Sequence, residues 1–114
     1  MAWYPRTQGY ITVTAAGTPE AVATTHTPCQ SIVFQQHEDN TGMLYVCNSA
    51  TANKTTGVGV LLKIPAPTIV DQVAVVLPYG SVSIPSAPAA MNMLGYWVDA
   101  DVNGDKCLVS YVRN

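Results

Sequence analysis

Leu94-Gly95-Tyr96-Trp97-Val98-Asp99-Ala100-Asp101-Val102-Asn103-Gly104-Asp105-Lys106-Cys107-Leu108-Val109-Ser110-Tyr111-Val112 is the stretch on which the fold class turns. Two runs rich in Val, Tyr, Trp and Leu flank Asp101 to Asp105, and Asn-Gly is the dipeptide that most readily takes the positive φ angles of a tight turn. The pattern predicts a terminal β-hairpin. On its second arm Cys107, Val109 and Tyr111 share one face while Leu108, Ser110 and Val112 share the other, as a period of two requires.

Upstream the same grammar recurs. Residues 1 to 9 read as an N-terminal arm, because Pro5 and Gly9 interrupt regular structure while Trp3 and Tyr4 carry apolar surface that needs cover, on this domain or on a neighbour. A single domain of residues 10 to 114 follows. Tyr10 to Ala15 alternates as a first strand, and Glu20 to Thr25 is extended or irregular. Ser31 to His37 carries Ile32 and Phe34 on one face. The turn formers Glu38 to Gly42 return it to Met43–Cys47 in a second predicted hairpin. Asn48 to Gly57 is a polar loop whose length suits a crossing between sheets, and Val58 to Ile64 is a strand over a core. Pro65-Ala66-Pro67 breaks pairing. Val73 to Leu77 has the length of a buried strand, Ser81 to Ile84 adds another, and Pro85 to Ala90 is a second Pro-rich link.

About eight short strands with no convincing helix predict an all-β, antiparallel two-sheet sandwich of jelly-roll type. An immunoglobulin-like sandwich is the near rival, but its Cys, Trp, Cys order is absent. A closed barrel is a further alternative. The 114 residues suit one core, and the composition is unusual: 48% of residues are apolar and only 11% charged, against about 25% charged in ordinary domains. A surface built of Thr, Ser, Ala, Gln and Asn suits coverage by partners. Five basic residues in a chain of net charge −2 offer no phosphate-tracking patch, so no nucleic-acid partner is expected. No membrane partner is expected either, since no apolar run approaches a membrane span, and the first residues lack the pattern of a secretion signal.

Candidate chemistry is sparse. Cys29, Cys47 and Cys107 are odd in number and far apart, which predicts buried thiols and neither a disulfide framework nor a zinc site. Asp99-Ala100-Asp101-Val102-Asn103-Gly104 matches the opening of a calcium loop, yet its twelfth position is Ser110 where a bidentate Glu belongs. The expectation is a solvated turn and no metal. Asn53-Lys54-Thr55 matches a glycosylation sequon, which is expected to be idle without secretion. Thr24, Thr25 and His26 lack the partners of a hydrolase, so no enzyme and no catalytic residue is expected. Tyr79, Tyr96 and Trp97 could offer a sugar-stacking platform, although adjacent Tyr96 and Trp97 must point to opposite faces. The candidate interaction residues are therefore Trp3, Tyr4, Pro5, Tyr79 and Trp97.

Four phrases in order, the ITVTAAGTP opening, the turn around Asn40-Thr41-Gly42 followed by Leu44-Tyr45-Val46, LPYGSVSI from Leu77 to Ile84, and the closing YWVDADVNGDKCLVSYV, resemble small virion proteins of tailed bacteriophages. The resemblance covers most of residues 10 to 112. It implies a compact β-sandwich that decorates or cements a capsid, or joins tail and fibre, without cofactor or catalytic residues. The expected partners are the major capsid protein and further copies of the chain, as a dimer or trimer. The expected place is the capsid surface after synthesis in a host cytoplasm. The aromatic arm and the three cysteines depart from that pattern. A glycan- or receptor-binding jelly-roll module is the alternative.

Overall fold

The computed structural model describes residues 4–70, 73–75, 79–83 and 91–113, and for 68–83 its backbone alone. Trp3 and the Pro85–Ala90 link lie outside the described residues. Twelve strands are present among them: β1 Tyr4–Thr12, β2 Glu20–Ala21, β3 Pro28–Cys29, β4 Ser31–Gln36, β5 Leu44–Cys47, β6 Val60–Ile64, β7 Thr68–Val70, β8 Val73–Val75, β9 Tyr79–Ser83, β10 Met91–Asn92, β11 Trp97–Ala100 and β12 Lys106–Arg113. One 3₁₀ turn, Met93–Gly95, is capped by the Asn92 side chain, which accepts from Leu94 N–H.

Two four-stranded sheets carry the fold, in the orders β1-β12-β4-β9 and β2-β11-β5-β6, with β10-β3 and β7-β8 as separate two-stranded pairs. Numbered from one to eight along the chain, the strands of the large sheets read 1-8-3-6 and 2-7-4-5, every pairing antiparallel. That order is the double Greek key of a jelly roll. Period-two alternation fills the space between the sheets. Ile32 and Phe34 of β4 and Cys107 and Val109 of β12 meet Leu44 and Val46 of β5, Val98 and Ala100 of β11, and Ile64 of β6. Each such burial is worth roughly 1.5–3 kcal/mol for the larger side chains.

The topology corrects both predicted hairpins. β11 pairs with β2 and β5, whereas β12 pairs with β1 and β4. Residues 101–105 therefore turn a corner between sheets, so that Val98 and Val109 approach from opposite sides of the core. β4 and β5 are likewise in different sheets. The loop Asn48 to Gly57, whose length suits a crossing between sheets, instead belongs to the 48–59 segment that links β5 to its neighbour β6 within one sheet. Alternation fixes which face of a strand is buried, but not which strand lies beside it. The arm is corrected as well. Tyr4 to Gly9 belong to β1, paired with β12 from Tyr4↔Arg113 onward, and the extra residue Gln8 is absorbed as a bulge between Thr7 and Gly9. Pro5 is tolerated because β1 is an edge strand.

A polar knot closes one end of the sandwich. Gln36, 2% exposed, shares its two side-chain N–H groups among the carbonyls of Gly42, Ile64 and Pro65 at 3.1, 2.9 and 3.0 Å. Its Oε1 accepts from Asn40 Nδ2 at 2.6 Å, and Asn40 Oδ1 accepts from Lys106 N–H at 2.8 Å. Asp105 Oδ2 accepts from Gly42 N–H at 3.0 Å. A Cβ at Gly42 would stand 2.8 Å from Val102 Cγ2, so a side chain there would have to displace Val102.

Candidate interaction surface

The two sheets have outer faces as well as inner ones, and these differ. The outer face of β2-β11-β5-β6 is roofed by the chain itself. Gly59, at φ +81°, lets segment 48–59 close so tightly that an added Cβ would meet Ala52 Cβ at 2.9 Å. Ala52 packs with Tyr45 and Cys47, and Met43, Val60 and Trp97 pack against that cluster. Lys54 pins the roof down: its Nζ donates to Ala100 O at 2.7 Å, pairs with Asp101 Oδ1 at 3.1 Å and lies 5.9 Å from the Tyr45 ring centroid. Tyr45 O–H donates to Asp101 at 3.1 Å. A cleft of about 400 Å³ remains between Gly17 and residues 50–55.

Asp99 lies beneath this roof, fully buried. Its Oδ1 accepts from Gly17 N–H and Ala100 N–H, both at 2.8 Å, while Oδ2 has no partner. The expected solvated turn is thus corrected for Asp99. The calcium-loop oxygens do not converge: Asp101 is taken by Tyr45 and Lys54, and Asn103 Oδ1 accepts from Ala16 N–H at 2.7 Å. Among the described residues no group of three or more His, Cys, Asp or Glu side chains is placed to hold a metal ion.

All three cysteines are free and buried. Burial, aided by the charge of Asp99, pushes the Cys47 thiol up to about 11. Burial pushes Cys107 up to about 12 and raises Cys29 as well. Thiols held protonated are poor nucleophiles. Burial, then the hydrogen bond to Asp101, also raises Tyr45. His26 Nδ1 meets Asn92 Nδ2 at 2.7 Å.

The outer face of β1-β12-β4-β9, by contrast, carries no such roof among the described residues, and we call it the bare face. Register aligns three rows of backbone positions across the sheet: Pro5, Val112 and Ser31 with Ser83; Thr7, Ser110 and Val33 with Ser81; Tyr10, Leu108 and Gln35 with Tyr79, the β9 member of each row being placed by its backbone alone. In β4, buried Ile32, Phe34 and Gln36 alternate with half-buried Ser31, Val33 and Gln35, which fixes the outward set. None of the twelve positions in these rows is a charged residue, and the next outward position of β12, opposite Thr12, is the exposed Lys106. Tyr10 is 54% exposed, and its ring meets His37 edge-on at 4.9 Å. A shallow cleft of about 220 Å³, lined by Tyr10, Leu108, Gln35, Gln36, His37 and Glu38, lies at that end.

The candidate residues are scattered over this frame. Tyr4, 55% exposed, and Pro5, also exposed, sit at the start of β1. Tyr79 opposes Gln35 through its backbone, its side chain being outside the described set. Trp97 is half-buried in the roofed cluster. Tyr96 packs on the main core near Phe34, so the adjacent aromatics do point opposite ways.

No family model, curated protein or solved structure matches this chain. No helix among the described residues is long and apolar enough to cross a membrane. Sequence reasoning missed Gln36 and Asn40, although Gln36 continues the inward series of Ile32 and Phe34 and was legible as a polar group in a core position. It also missed the bare face, which needed the strand order.

Proposed function

We propose that this chain is a non-enzymatic structural protein of a virion, a decoration or cement protein that stabilises a capsid by binding across major capsid subunits. The single observation that carries the reading is the bare face: twelve aligned sheet positions without a charge, on a chain that roofs its other sheet with its own loop. A free monomer gains solubility from charge on such a surface, whereas an assembled one needs none there. The jelly-roll order and the four phrases of the bacteriophage resemblance support the same reading, but fold alone does not dictate function. Capsid attachment is assigned to Tyr4 at the exposed start of β1, with Trp3 preceding it in the sequence. The glycan-binding alternative loses part of its support, because Trp97 is packed against Tyr45, Cys47 and Ala52.

Peptide mass spectrometry of purified particles tests the proposal. Copies in the hundreds, together with binding of added protein to capsids lacking it, are expected. A handful of copies would mean a tail or fibre component. Saturable oligosaccharide binding without capsid binding would overturn the decoration reading.

A further inference from the structure

We infer that the bare face of β1-β12-β4-β9 pairs with the same face of a second copy, about a two-fold axis lying in the interface and running across the strands. The inference rests on the assembly reading only in taking this face as covered on the particle; the pairing itself needs no capsid.

Absence of charge from the three rows permits the pairing, since a two-fold sets each surface against itself and like charges would be opposed. Lys106, the next outward position of β12, lies beyond the bulky row, and an axis across the strands carries its copy to the far end of the face. The grading of side-chain size along the strands selects the axis. The row at one end is bulky, with Tyr10, Leu108 and Gln35, and the row at the other is smaller, with Pro5, Val112 and Ser31. An axis across the strands lays the bulky row of each copy over the smaller row of the other. Leu108 then meets Val112, Gln35 meets Ser31, and the middle row meets itself, Val33 on Val33. An axis along the strands would set bulky rows together and leave a gap between the smaller ones. Sheets stacked face to face at about 10 Å interdigitate in this way within sandwiches.

Area sets the strength. Three rows two residues apart across four strands cover about 400 Å² in plan, below the roughly 800 Å² per partner of a stable complex. The dimer is therefore reversible, with dissociation in the micromolar range or above, and is reinforced when many copies are held on one shell.

Sedimentation equilibrium of the full chain over a concentration series tests this. Wild type is expected to follow a monomer–dimer equilibrium. Val33→Lys and Val33→Glu should each weaken dimerisation at least tenfold while leaving the melting temperature of the monomer nearly unchanged, and an equimolar mixture of the two should recover dimer. Ser110→Lys provides a second break on the neighbouring strand, and Thr55→Lys, on the roof, should leave association unchanged. Wild type that stays monomeric throughout, forms trimers, or dimerises undiminished with Lys at position 33 would overturn the inference, as would a mixture that fails to recover dimer. The two readings fail separately. Monomeric protein that still loads onto capsids sinks the pairing alone. Dimeric protein absent from particles sinks the decoration reading alone.

Discussion

The roofed face and the bare face are made of similar strands, and the chain treats them in opposite ways. Over β5 and β11 it places an aromatic ring, a thiol and a carboxylate, all of which need cover, and then supplies the cover from segment 48–59. Over β12 and β4 it places Ser, Val, Leu and Gln, which tolerate water singly, and no segment of the described chain forms a comparable roof. A roof orders a loop, and ordering costs roughly 1–2 kcal/mol per residue in backbone entropy. Such a cost is offset where large surface is buried. The contrast separates a face completed by folding from one left for association.

The largest expected effect is on the roofed side. Tyr45→Ala removes a ring that is 8% exposed together with its hydrogen bond to Asp101, and should lower unfolding free energy by about 3 kcal/mol. Leu108→Ala on the bare face should cost the monomer about 1 kcal/mol or less, because its side chain is only half-buried. Chemical denaturation of both variants in dilute solution checks the difference. Equal losses would mean that the bare face is packed within the monomer, and the contrast would collapse.

Removing residues 1–9 comes next. As a free docking arm they would leave the melting temperature unchanged, but Tyr4 to Gly9 pair with β12 as the edge of the bare sheet. Their loss uncovers the β12 edge and should cost about 2 kcal/mol, from several backbone hydrogen bonds at roughly 1 kcal/mol each, offset by regained chain entropy. Thermal unfolding of the truncated chain tests this, and an unshifted midpoint would restore the arm reading.

The cysteines sharpen the comparison from a chemical side. Cys47 lies under the roof and Cys107 in the core, and both should resist alkylation at neutral pH in the native protein, whereas a Ser110→Cys thiol on the bare face should react within the mixing time of unfolded controls. Denaturation without reductant should release three thiols. The pH dependence has a definite sign. Folding raises these two thiols from 9.0 to about 11 and about 12, so the folded state holds their protons more tightly. Their contribution is fully present below pH 9 and is lost as pH rises toward 12, where the unfolded chain ionises first. A midpoint that holds steady from pH 9 to 11.5 would contradict the burial of both.

Several features of this contrast were legible in the sequence and others were not, for physical reasons. Alternation in Ser31 to His37 and Cys107 to Val112 grouped Ile32 with Phe34 and Cys107 with Val109 on shared faces, and these are the faces buried in the core, because burial acts on side chains two residues apart. Neighbours along the chain looked like hairpin partners because Asn103-Gly104 turns equally well within a sheet or between sheets. Only the global packing of apolar faces distinguishes the two. The N-terminal strand was hidden by Pro5 and Gly9, which an edge position with a bulge accommodates. Of the candidate residues, Trp97 was recognisable only as an aromatic pointing opposite to Tyr96. Its cover, Ala52 and Lys54, sits in a polar loop that offered no apolar pattern to read.

Asp99→Asn is the smallest expected effect and the most delicate test of the roof. The carboxylate satisfies Gly17 and Ala100 with Oδ1 and leaves Oδ2 buried without a donor. An uncompensated buried carboxylate oxygen costs more than a neutral amide in the same place. Asparagine keeps the Oδ1 bonds that anchor Gly17, so the variant should melt no lower than wild type and gain up to about 1 kcal/mol at neutral pH. Asp99→Ala should instead lose about 1 kcal/mol, because Gly17 N–H is left without its acceptor and the 13–19 turn loses its tether to β11. If asparagine destabilises as much as alanine, Oδ2 has a donor in solution, and the roof then admits water or a ligand group that only the charged oxygen holds. Such a result would make the covered face the binding face, and the division of labour between the two faces would have to be reversed.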